Sequence, residues 1–417
     1  MEKKAPLITQ TLAILLFSMI VANIGGQMYG PLLPLYVQEL GADMGQIGIF
    51  FTLSMIAPLL FQILGGWLSD AIGRVQAIAI GSLAGLTGYI VFVIAPSWGW
   101  LLLAMIGLAM ASSFVGPSFN ALVAEESSEA SRGKVFGIVQ SLFLIVGVIG
   151  APLGGFLADR YGFRMMFIVA AGLYGLATIV RLSMARKLRK IQAGEPAPAP
   201  SFAHLKTSLA SIFGLLTAGG IVTWIFLADG VGDVTFSMVG NLFPLYMNNI
   251  MGISMTQLGV LGAISSVTTM VFTVPGGMLA DRYGERVGIV TGNLLVAVAL
   301  YTMLNTQGFA WFVAAWALLG VGQALFGPAY NSLISKAVPQ KLRGTAFGLF
   351  STSLGLISLP SPYIGVMLWE NFGPKVPFYV PLTAMLLMLP IIWIKFRLPK
   401  NGEPATDALP VPAQAEG

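Results

Sequence analysis

Shifting the chain by 211 positions lays GGWLSD at 65–70 on GGMLAD at 276–281, and GPSFNALVAEESSEASRG at 116–133 on GPAYNSLISKAVPQKLRG at 327–344. That single offset pairs Gly66 with Gly277, Asp70 with Asp281, Gly73 with Gly284, Asn120 with Asn331 and Arg132 with Arg343. A tandem duplication of this length calls for two similarly folded halves. The halves are not water-soluble domains: 56% of residues are hydrophobic and only 9% are charged, against roughly a quarter charged in an ordinary soluble domain. Their outer surface must be covered by lipid.

A helix needs about twenty apolar residues to cross a ~30 Å hydrocarbon core. Stretches of that kind recur at 10–38, 45–68, 75–96, 99–124, 134–158, 163–185, 220–248, 255–279, 287–306, 308–335, 345–369 and 376–397. The expected fold is all-α, with 12 transmembrane helices in two six-helix bundles related by pseudo-twofold symmetry. Residues 1–186 form the N-terminal bundle, 187–219 a cytoplasmic linker with an interfacial helix, 220–398 the C-terminal bundle and 399–417 a disordered cytoplasmic tail. The first span follows Lys3 and Lys4 like a signal peptide. It is too long for one, and its repeat mate at 220–248 marks it as a membrane helix.

An even number of spans puts both termini on one side, and that side receives 19 of the 22 Lys and Arg; Arg160, Arg164 and Lys375 fall on the other. The positive-inside rule then places both termini in the cytoplasm of a multi-pass protein of the plasma membrane. The same asymmetry accounts for the pI of 9.3 without a nucleic-acid partner. There is no cysteine, and the lone histidine, His204, falls in the linker. With no thiol, no metal-ligand spacing and no G-x-x-x-x-G-K-[ST] loop, enzymatic chemistry, metals, cofactors and ATP as fuel are not expected.

Deep ionisable residues occur in one place, WIFLADGVGDVTFSMVGN at 224–241 in the seventh span. Asp229 and Asp233 stand four apart, hence on one helical face. Counting ~1.5 Å per residue from Gly220 puts them ~13 and ~20 Å into the membrane, on either side of its middle. A carboxylate there costs on the order of 3 kcal/mol, so such residues ordinarily line a cavity and act. With Arg181 placed near the cytoplasmic end of the sixth span, no fixed cation neutralises them. At least one is expected to bind and release a proton; sodium or a cationic substrate are alternative counter-ions. At an offset of 210 the corresponding positions are Met19 and Asn23, so the first span presents Asn23, Gln27 and Tyr29 instead of acids. Asn120, Gln140, Gln323 and Asn331 are further polar candidates for a cavity. Glycines such as Gly81, Gly85, Gly147 and Gly150 suit close helix packing, and Pro31, Pro34, Pro58, Pro117, Pro275, Pro328 and Pro360 suit bends.

After the second and eighth spans come GWLSDAIGR at 66–74 and GMLADRYGER at 277–286. Gly, a spacer, Leu, a small residue, Asp, then Gly and Arg resembles the cytoplasmic signature of the major facilitator superfamily, whose duplicated twelve-span layout matches nearly the whole chain. GAPLGG at 150–155 is similar to a run found in its drug:proton antiporters, with Pro152 displaced by one. Ala71, Val75 and Leu103 depart from the family pattern. The resemblance implies a secondary active transporter working by alternating access. It also implies a cytoplasmic gate of Gly66, Asp70, Gly73, Arg74, Arg132, Gly277, Asp281, Arg282, Gly284, Arg286 and Arg343, with Asp70 held at the helix start around Gly344 and Thr345 and Asp281 near Arg132. Carboxylates without a fixed positive charge suit export of cationic or neutral amphiphilic small molecules in exchange for protons; a proton- or sodium-coupled symporter of sugars or other neutral metabolites is the alternative. The expected partners are that small molecule and the bilayer, with the protein a monomer.

Overall fold

A computed structural model describes residues 8–61, 72–127, 131–188, 220–337 and 355–397. The described residues are almost entirely helical and include no strand. Nine of their helices are long and apolar enough to cross a membrane. The longest, Arg132–Leu188, is two spans divided at Gly162, whose φ of 81° no helical residue adopts. Of the anticipated bends, Pro31 sits in a 3₁₀ turn, Gly30–Leu32, that interrupts the first span, and Pro360 caps the helix Ser361–Phe372. Pro117, Pro275 and Pro328 instead lie inside unbroken helices. The linker with His204 and the tail lie outside the described residues.

Contacts divide the chain into two compact units, Met1–Pro200 with Asn241–Ser266, and Ser201–Gly240 with Val267–Gly417. Each is built on small residues, because helices lacking a hydrophobic drive toward one another associate through close backbone approach. In the first unit a Cβ on Gly81 would sit 2.9 Å from that of Phe114, and one on Gly107 would sit 2.6 Å from the Ala84 carbonyl oxygen. A Cβ on Gly154 would overlap the carbonyl of Met28. In the second unit, a Cβ on Gly292 would sit 2.7 Å from the Gly322 carbonyl oxygen.

The unit boundary does not follow the repeat boundary, since Asn241–Ser266 from the second repeat pack within the first unit. Gly155 lies against the carbonyl of Met255, and Gly259 against that of Ala151. Asp159 completes the junction by accepting the backbone N–H groups of Met255 at 3.0 Å and Thr256 at 2.6 Å. These are the first residues of the helix Met255–Tyr283, where unpaired N–H groups favour an anion. Partial burial pushes the Asp159 carboxyl up, but hydrogen bonds from Thr256, Ser254 and Met255 outweigh it and hold the group below the usual aspartate range. A carboxyl depressed on folding stabilises above its unfolded value and loses that contribution as pH falls through its folded one. Asp159→Ala is therefore expected to lower stability by about 1 kcal/mol at neutral pH. Thermal melts should show the difference shrinking below about pH 4.

Two local details tie the structure back to the duplication. Leu35-Tyr36 matches Leu245-Tyr246 at an offset of 210, whereas Gly41 matches Gly252 at 211. The one extra residue is absorbed by a π-helical turn, Tyr246–Ile250, since widening a single turn accommodates an insertion without breaking the helix. The capping box of Asp43 and Gln46 recurs 211 positions on as Ser254 and Gln257.

The hairpin turns repeat more often than the halves do. Leu-x-acid-x-x-Gly occurs at Leu68 to Gly73, Leu157 to Gly162, Leu279 to Gly284 and Leu368 to Gly373. All four glycines have the left-handed backbone, with φ of 99°, 81°, 93° and 102°. A side chain at such a φ is strained, which fixes glycine at the turn.

Candidate functional site

Within the second unit, the helix Gly220–Val239 presents Asp229 and Asp233 to a cavity of about 370 Å³. Ile225 and Phe226, on the same helix, are buried against Ile289, Ala329, Leu333 and Ile392, which fixes the rotation that turns the aspartates inward. Tyr330 stacks on Phe326 with ring centres 5.2 Å apart and donates its hydroxyl to Oδ2 of Asp229. The fully buried Ser358 donates to Oδ2 of Asp233 at 2.5 Å. Asn293, Gln323 and Thr235 are the other polar residues of the wall; Leu319, Phe236, Met385 and Met388 make it largely apolar. Among the described residues, no basic residue lines it. Both acids therefore have hydroxyl donors but, among the described residues, no cation to balance them. Among the described residues, no cluster of His, Asp and Glu could hold a metal ion.

The first unit has a cavity of about 450 Å³ at the equivalent place in its own repeat. Met19 and Asn23 line it where Asp229 and Asp233 line the other, at the 210 offset of the first and seventh spans. Leu108, Ser112 and Val115 line it where Leu319, Gln323 and Phe326 do, at the offset of 211. Its walls carry Tyr29, Tyr89 and Tyr174, with Tyr89 and Tyr174 ring centres 4.7 Å apart. Arg181, at the position of Ile392, also lines it and is only 1% exposed. The expectation that deep ionisable residues occur only in the seventh span is thereby corrected. Arg181 is near the end of its helix in sequence, but its side chain is enclosed by the first, third and sixth spans.

With two repeat-related cavities in two helical units, comparison with other proteins becomes informative. A family model described as Major Facilitator Superfamily matches residues 15–233 and 225–414. The chain belongs to the major facilitator superfamily. A multidrug resistance protein, MdtG, of Proteus mirabilis (strain HI4320) is 25% identical over 402 residues, covering 94% of this chain and 97% of that protein. A multi-drug resistance efflux pump PmrA homolog of Lactococcus lactis subsp. lactis (strain IL1403) is 26% identical over 385 residues, covering 88% and 90%. A POT family transporter crystallised with 5-aminolevulinic acid shares the fold, with a TM-score of 0.75 at 15% identity over 93% of this chain and 96% of that one.

In this superfamily member the predicted site residues separate as follows. Asp229, Asp233 and Gln323 line the second unit's cavity, and Asn23 lines the first unit's. Asn23 also donates to the Met19 carbonyl at 2.7 Å. Gln27, Asn120, Gln140 and Asn331 are exposed and line neither cavity.

Of the gate residues, Gly66, Asp70 and Arg343 lie outside the described residues, as do Gly344 and Thr345. Gly73 and Gly284 cap the helices that follow them. Arg74 pairs with Glu125 at 3.0 Å. Gly277 lies 4.0 Å from Pro328, measured from a Cβ built on it. Asp281 is exposed, Arg282 lies over the Tyr283 ring at 5.2 Å and Arg286 over Trp393 at 4.7 Å. Arg132 begins the helix of the fifth span. Glu285, not among the predicted residues, is paired with Lys336 and accepts from Ser332 at 3.0 Å, tying the ninth span to the tenth.

Sequence reasoning also missed Tyr330, Ser358 and Asn293. A signal for Tyr330 existed: its repeat mate is Phe119, so the half with the aspartates gains one hydroxyl at that position. Ser358 and Asn293 carried none, because what they touch is decided by helix rotation.

Proposed function

We propose that this transporter is a secondary active exporter of cationic or neutral amphiphilic small molecules, exchanging them for protons by alternating access. The observation that carries the reading is the pair Asp229 and Asp233 in a mostly apolar cavity with no basic residue on its wall among the described residues. An apolar wall with acidic groups attracts hydrophobic cations and disfavours organic anions. Two carboxylates with only hydroxyl donors cannot both stay ionised cheaply, so a proton or the substrate's own charge serves as counter-ion, and the two compete for the same place. That competition is what exchange requires. The names of the relatives, a multidrug resistance protein and a multi-drug resistance efflux pump homolog, agree with drug-type export. On this reading, Asp70, Asp281 and the other loop residues form the cytoplasmic gate.

Purified protein in liposomes, with the membrane potential clamped, tests the proposal using ethidium as a permanently charged probe. Accumulation driven by an acidic lumen is expected. Accumulation driven by an acidic exterior would favour the symporter, and indifference to either gradient would overturn proton coupling.

A further inference from the structure

Among the described residues, Arg181 gives its hydrogen bonds to neutral groups alone. Nε donates to the Ser18 hydroxyl at 3.1 Å, Nη1 to the Ser82 hydroxyl at 2.8 Å, and Nη2 to the Ser18 carbonyl at 3.2 Å and the Met19 thioether at 3.1 Å. Among the described residues no carboxylate pairs with it, and no acid lines the cavity it borders. A guanidinium stays protonated, so this wall holds a full positive charge away from water with no balancing anion. Intramembrane charges of this kind ordinarily serve a ligand.

We propose that the cavity of the first unit binds the carboxylate of an amphiphilic, aromatic organic anion, with Arg181 as the recognising group. Three observations specify the ligand. The planar fork of a guanidinium matches a planar carboxylate, and one charge on the wall matches one on the ligand. A thioether is a weaker acceptor than the hydroxyl and carbonyl oxygens that Arg181 also meets, and Met19 itself lines the cavity, so an entering carboxylate replaces the thioether without disturbing the two serines. Tyr89, Tyr174, Met105, Leu108 and Pro58 line the rest of the cavity with aromatic and apolar groups, in a volume of about 450 Å³. This cavity corresponds within the duplication to the one that holds Asp229 and Asp233, with the sign of the charge reversed. The inference does not depend on the second unit's carboxylates being the coupling site.

The test is calorimetric titration of the full-length protein in nanodiscs with benzoate, using benzamide as the neutral isostere. Benzoate is expected to bind at least about tenfold more tightly than benzamide, a difference of ~1.4 kcal/mol. Arg181→Lys, which keeps the charge but not the fork, should weaken benzoate about tenfold, and Arg181→Met should abolish the preference. Asp229→Asn protein should still bind benzoate, which separates this site from the exchange reading. Equal binding of benzoate and benzamide to the unaltered protein, no binding of benzoate, or unchanged binding to a folded Arg181→Met protein would each overturn the proposal. The first two comparisons need no variant.

Discussion

Asp229→Asn protein reconstituted into vesicles is expected to lose pH-driven accumulation of ethidium by about a hundredfold, equivalent to ~2.7 kcal/mol of barrier. Asparagine keeps the shape and can still accept the Tyr330 hydroxyl, so the change removes only the charge and the exchangeable proton. Tyr330→Phe isolates the other partner. It leaves Asp229 in the cavity without its donor, an unsatisfied polar group worth about 1–3 kcal/mol, and should slow transport roughly tenfold while leaving it dependent on the pH gradient. Asp233→Asn, whose partner is the buried Ser358, should also impair coupling. The decisive comparison is the pH profile. If the Asp229 and Asp233 variants both transport at normal rates with intact coupling, the carboxylates are helix-to-helix packing groups and the mechanism lies elsewhere.

Gly154→Val is expected to prevent accumulation of folded protein. A Cβ at this position overlaps the backbone carbonyl of Met28, and a backbone atom has no rotamer with which to retreat. The first and fifth spans would have to separate along a contact that Gly150 extends, with a Cβ there 2.9 Å from the Ile24 carbonyl. Overpacking usually costs about 1–3 kcal/mol, and a collision with main chain belongs at or above the top of that range. Gly172→Ala supplies the control. Gly172 is helical with nothing within 4 Å of an added Cβ, so alanine should stabilise by about 0.5–1 kcal/mol through helix propensity. Thermal melts monitored by light scattering and size exclusion would rank the variants. A Gly154→Val protein that melts with the wild type would refute the close contact.

Lipid as solvent made much of the fold legible. Twenty-residue apolar runs announced the spans, and the repeat announced the halves. The i, i+4 spacing of Asp229 and Asp233 gave their shared face before any neighbour was known. Their partners were a different matter, since Tyr330 and Ser358 lie more than a hundred positions away and are brought in by packing. Arg181 shows the same limit in reverse. Position along a helix gives depth, but enclosure depends on which face meets Ser18 and Ser82. The repeat itself also broke register at Tyr246–Ile250, where one inserted residue shifts the offset from 210 to 211.

The four Leu-x-acid-x-x-Gly turns have a bearing on how the chain enters a bilayer. Successive turns are separated by three crossings, an odd number, so Gly73 and Gly284 open on one face and Gly162 and Gly373 on the opposite one. Turned upside down, the protein would offer each aqueous side nearly the same hairpins. Nothing in the turns therefore tells the insertion machinery which way up to place the molecule. That instruction must be written in the uneven distribution of Lys and Arg between the loops, and lysines added beside Gly162 and Gly373 would blur it.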